Sequence, residues 1–132
     1  MKKLLTRRIF QWILWLIAIH SICFGLALII FPVSFIELFG FRLLEKFFAD
    51  QGGVFHLIIS AVYIMAARNP ENSGKFVFLA CFTKFSAAVF LISYFLFDTH
   101  ILMVLFSGFM DFLMGLGILI SYGLFRRFQE EL

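Results

Sequence analysis

Charge is what this chain has least of. Only 14% of its 132 residues are Asp, Glu, Lys or Arg, where a soluble domain carries roughly 25%. With 63% hydrophobic residues, too little polar surface exists to face water all round, and a soluble globule is excluded. Cysteine is scarce as well. Cys23 and Cys81 are the only two; they form no CxxC and stand at no Cys–His spacing that would hold zinc, so neither a disulfide framework nor a structural metal organises the fold. They read as small apolar packing residues. HExxH, a phosphate loop and a Ser-His-Asp arrangement with its elbow are also missing. No set of catalytic groups is left on which to build an enzyme, and no metal or other cofactor is implied. The formal net charge of +3 raises the question of nucleic acid. The basic residues cluster at the ends of apolar segments, however, which is how topology is encoded and not how phosphate is bound.

What the chain has in quantity is phenylalanine, 21 residues, and long apolar runs. Runs over 9–31, 51–67, 76–97 and 101–125 predict four membrane spans in a single domain covering 1–132. The fold class expected is all-α, an integral-membrane antiparallel four-helix bundle. The first run follows Lys2, Lys3, Arg7 and Arg8 but is too long for a signal-peptide core and precedes no A-x-A site, so it is read as an uncleaved span. Pro32 ends it. The second run is short and should borrow length from its flanks. Between these two, residues 41–49 place Phe41, Leu44, Phe47 and Phe48 on one helical face and Arg42, Glu45 and Lys46 on the other. That pattern predicts a short helix lying in the membrane interface.

The N-terminus, the turn over 68–75 and the C-terminus hold eight Lys and Arg; the other two connections hold Arg42 and Lys46 alone. With four spans, all three basic segments fall on one side. The positive-inside rule then puts both termini in the cytoplasm and the protein in the cell membrane.

Two charges lie inside the runs themselves. Counting 1.5 Å per residue puts Asp111 roughly 15 Å below the outer face and Lys84 roughly 12 Å above the inner one, in a hydrocarbon core of about 30 Å. Consecutive antiparallel spans pack together, so Lys84 and Asp111 are expected to pair. Each stands among small residues at four-residue spacing, Ala80 and Ala88 around Lys84, Ser107 and Gly115 around Asp111, which permits close helix approach. On the second run His56, Ser60, Tyr63 and Ala67 recur on one face, a stripe that should look towards protein and not lipid.

Intramembrane charges mark function by default, although an ion pair can also serve to lock helix register. Lys84, Asp111, His56, Ser60 and Tyr63 are therefore the candidate site. The reading is a non-enzymatic accessory or binding component. Its polar interior would hold a lipid-like or quinone-like ligand or a partner helix, with the bilayer, other membrane chains or further copies of itself as partners. One alternative is a proton-coupled transporter working as a homo-oligomer, with Asp111 cycling its proton and His56 feeding it. Another is a haem-binding electron carrier using His20 and His56, which the count disfavours because their depths differ by roughly 9 Å.

Gly25 with Pro32, Phe39-Gly40, Gly52-Gly53 with His56, the run Ala66-Ala-Arg-Asn-Pro70, Lys84, and Gly108 with Asp111 follow one another in an order that resembles the small four-helix DoxX-like membrane proteins and the BphX-like set beside them. The resemblance implies an antiparallel four-helix membrane bundle. It carries no activity with it.

Overall fold

A computed structural model describes residues 2–130. Its elements are all helical: α1 (Lys2–Ile30), α2 (Val33–Glu37), α3 (Phe47–Arg68), a 3₁₀ turn (Pro70–Asn72), α4 (Gly74–Phe97) and α5 (Leu102–Glu130). Four of these, α1, α3, α4 and α5, are long and apolar enough to cross a membrane. They correspond to the four apolar runs. The second is the short one: α3 starts at Phe47, ahead of its apolar run, and reaches 22 residues, which supplies the length that run lacks.

Local chemistry sets the breaks. The last bond of α1 runs from Phe31 N to Ala27 O, and Pro32 then starts the single turn and a half of α2 as its N-cap. Gly40 adopts φ +93°, the left-handed region open to glycine, and reverses the chain. Between α3 and α4, Ser73 is buried and donates its hydroxyl to Pro70 O at 2.8 Å.

The predicted interfacial helix over 41–49 does not form. Residues 41–46 are non-helical, and 47–49 are the first residues of α3. Burial explains why. Phe41, Leu43 and Lys46 are half-buried while Arg42, Leu44 and Glu45 are exposed, so the inward positions do not recur at the spacing of one helical face. The apolar face expected for a helix at this point is therefore not assembled.

α1 packs against α3 and α5, and α4 against α5 and α3. The α1/α3 and α4/α5 pairs are close because glycine removes side chains where backbones meet. A Cβ on Gly25 would lie 2.7 Å from Gly53 O, and one on Gly53 would lie 2.6 Å from Gly25 O. Gly108 and Gly115 do the same for α5, against Leu91, Ile92, Phe85 and Lys84 of α4. The strongest apolar core gathers at the end that holds the N-terminus and the 3₁₀ turn, where Phe10, Leu14, Tyr63, Ala66, Ile118 and Phe125 are buried together. There Phe10 stacks on Phe125 with ring centroids 5.6 Å apart, and Gln11 Nε2 donates to Ala67 O at 2.9 Å, satisfying a carbonyl of α3's last turn.

Candidate functional site

Lys84 reaches its position because α4 presents Ala80 and Ala88 on the same face, both buried, and α5 presents Gly115 with no side chain. The lysine is 3% exposed and its Nζ donates to Asp111 Oδ1 at 2.6 Å. This joins the two charges that sequence spacing pairs. An ammonium has three N–H donors. Among the described residues Asp111 is the sole hydrogen-bond partner of Lys84, so two donors are unfilled in an apolar interior. The ammonium also lies 5.8 Å from the ring centroid of Tyr63, within the range of attraction between a cation and an aromatic face.

Tyr63 is fully buried, and its hydroxyl finds no hydrogen-bond partner. A sealed, unpaired hydroxyl is unfavourable by roughly 1–3 kcal/mol, which makes the surroundings of this ring informative. They include, beside the apolar core, a cavity of about 490 Å³ whose wall carries His56, Tyr63, Lys84 and Asp111. The rest of the lining is apolar apart from Thr83: Phe55, Ile58, Ile59, Ala87, Phe90 and Leu91. Phe55, Ile58 and Phe90 are largely exposed, so the cavity opens sideways between α3 and α4, through their apolar faces.

Four of the five sequence candidates thus meet at one cavity. Ser60 is the exception. It is buried, but its hydroxyl turns back to Leu57 O at 2.6 Å within its own helix, the common fate of a helical serine in an apolar setting. His56 brings in a residue absent from the sequence candidates. Ser21 of α1, buried in the α1/α3 contact, donates to His56 O at 3.0 Å and lies 3.2 Å from His56 Nδ1. A hydroxyl has one proton. With that proton on the carbonyl, Nδ1 is the donor to Ser21 Oγ and the lone pair is left on Nε2. A small-residue stripe, Ala18, Ser21 and Gly25, is the one sequence signal for this contact.

His20 is exposed and away from the cavity lining. Its ring and that of His56 both pack on Phe24, at centroid distances of 6.2 and 4.9 Å, so the two imidazoles share an aromatic neighbour. Among the described residues no three His, Cys, Asp or Glu side chains gather as a metal site.

The arrangement is electrically neutral, since the pair balances itself, and it offers both donors (the free Lys84 N–H groups) and acceptors (Asp111 Oδ2 and His56 Nε2). No known protein family matches this chain, and no characterised protein or solved structure does so either.

Proposed function

We propose that this protein is a binding component of the cell membrane: an antiparallel four-helix bundle with both termini in the cytoplasm, holding a neutral, quinone-like molecule at the Lys84–Asp111 pair. One observation carries the reading. Lys84 has two N–H donors unfilled and stands in the wall of a cavity that opens sideways between α3 and α4. A clamp whose only task was helix register would be expected to have its polar valences closed and its surroundings filled. A ligand carbonyl accepts from the ammonium, and its ring lies among Phe55, Ile59 and Phe90. At about 490 Å³ the cavity falls in the range of small-molecule sites, roughly 300–1,000 Å³. That volume favours a small molecule over a partner helix, which is about 10 Å across.

The positive-inside distribution supports the orientation.

The test is equilibrium binding of a short-chain, water-soluble quinone to the purified protein in detergent. Saturable binding at one molecule per chain, weakened at least about tenfold in Lys84→Met/Asp111→Leu, is expected. The double variant removes both charges together, so it leaves no orphaned ion to disturb the fold. Absence of saturable binding, or equal binding by parent and variant, overturns the proposal.

A further inference from the structure

A second cavity, of about 500 Å³, lies at the opposite end from the termini, where the 31–46 connection arches between the end of α1 and the start of α5. Its wall carries Phe24, Phe31, Phe35, Phe39, Phe41 and Phe48, and the one hydroxyl on it is Ser107. Phe31, Phe35 and Phe39 pack in sequence, with centroids 4.3 and 5.5 Å apart, so one side is a fixed aromatic ladder. Phe31, Phe35, Phe39 and Phe48 are exposed, so the cavity is a groove open to its surroundings, in which a hydrocarbon chain gains dispersion contacts on several walls.

The groove has a polar annexe. Phe41 and Leu43 also line an adjoining hollow whose other residues include Glu37, Gly40 and Arg42. The connection's basic residues divide by role at this point. Lys46 is committed, bonded to Ile29 O and paired with Asp50 Oδ1 at 3.2 Å. Arg42 is exposed, and among the described residues neither it nor Glu37 takes part in an ion pair or side-chain hydrogen bond. One hollow therefore presents an unpaired cation and an unpaired anion at the mouth of a groove for hydrocarbon. Gly40, with its left-handed φ, is the bend that sets Glu37 and Arg42 around the same hollow.

We propose that this end of the protein holds one zwitterionic phospholipid of the phosphatidylethanolamine type, an acyl chain in the Phe-lined groove, its phosphate at Arg42 and its ammonium at Glu37. A purely anionic headgroup would meet Glu37 unfavourably. A trimethylated one has no N–H to donate to it. This site is separate from the Lys84–Asp111 cavity and does not depend on any ligand there.

The experiment is native mass spectrometry of the purified, delipidated protein supplied with four lipids of identical chains: phosphatidylethanolamine, phosphatidylcholine, phosphatidylglycerol and diacylglycerol. One phosphatidylethanolamine per chain should be retained about threefold better than the next lipid, with diacylglycerol weakest. Glu37→Gln should erase the preference over phosphatidylcholine, and Arg42→Gln should lower phosphatidylethanolamine and bring phosphatidylcholine down to the level of diacylglycerol. Ala27→Phe, which fills the groove, should lower retention of all four. Equal retention of the four lipids by the parent, or unchanged selectivity in both polar variants, overturns the proposal. Arg42 and Glu37 are surface residues, so the headgroup test stands even if Ala27→Phe proves unable to fold.

Discussion

The contact between α1 and α3 and the contact between α3 and α4 differ in kind. In the first, two backbones meet at Gly25 and Gly53, and Ser21 ties the helices together through His56. The α4/α5 contact is built the same way, with Gly108 and Gly115 for approach and Lys84–Asp111 for the polar tie. Between α3 and α4 there is neither a glycine approach nor a hydrogen bond between side chains among the described residues; Lys84 over the Tyr63 ring is what crosses. The molecule is thus two tightly made helix pairs leaning on each other. The side-chain ties Ser21–His56 and Lys84–Asp111 each sit inside a pair, and the cavity opens where the pairs adjoin. In a membrane no hydrophobic effect drives helices together, so close backbone approach and hydrogen bonding decide which contacts hold and which can part.

The largest test of this division removes one tie. Asp111→Leu should destabilise the protein by about 3–5 kcal/mol, because Lys84 is left buried without a partner, and Lys84→Met/Asp111→Leu should recover most of the loss. Thermal unfolding in bicelles reads both. If single and double variants lose the same amount, the charges do not couple α4 to α5.

A smaller effect is expected at the glycine contact. Gly53→Ala pushes a methyl to within 2.6 Å of Gly25 O, and should lose about 1–3 kcal/mol by forcing the pair apart. Gly123, which has no atom within 4 Å of an added Cβ, is the matched control. Gly123→Ala should be neutral or stabilising by up to about 1 kcal/mol. Equal losses at the two positions would mean that the close approach is not what holds α1 to α3.

Serine gives a finer comparison. Ser21→Ala should lose about 1 kcal/mol, since it leaves His56 Nδ1 without its partner. Ser121→Ala, whose hydroxyl bonds only to Gly117 O and Ile118 O of its own helix, should show a smaller change in the same unfolding assay. The smallest effect belongs to the open seam. Phe90→Ala and Phe55→Ala, at exposed positions, should leave stability within about 0.5 kcal/mol while speeding quinone release in a stopped-flow displacement measurement. A large stability loss there would show that the seam is a sealed contact after all.

Much of this architecture is legible in the amino-acid order. Apolar run length marks the four long helices, and the isolation of Lys84 and Asp111 in neighbouring runs marks them as partners, because few other groups could satisfy them. The 41–46 segment departs from its sequence pattern for a definite reason. Its side chains suit an amphipathic helix, but Gly40 reverses the chain, and the cavity draws in Phe41 and Leu43 at alternate positions. Tertiary surroundings choose the non-helical form. Ser21 escapes a sequence reading because the small-residue stripe it shares with Ala18 and Gly25 signals close packing and not a hydrogen bond. Ser60 misleads in the other direction, since facing inward is not the same as having a free hydroxyl. Its nearest acceptor is the helix it belongs to.

The ordering of Lys84 and Asp111 along the chain has a consequence in time. They are 27 residues apart, and the lysine is made first. At roughly 5–20 residues per second of synthesis, the ammonium waits on the order of 1–5 s before its carboxylate exists. Alone at the centre of a helix it costs about 2.5–3.5 kcal/mol to insert. During synthesis α1 and α3, whose polar tie is complete by residue 56, can settle in the bilayer unaided. α4 has reason to stay in the insertion machinery until α5 arrives, so that the two enter as a hairpin with the charge already cancelled.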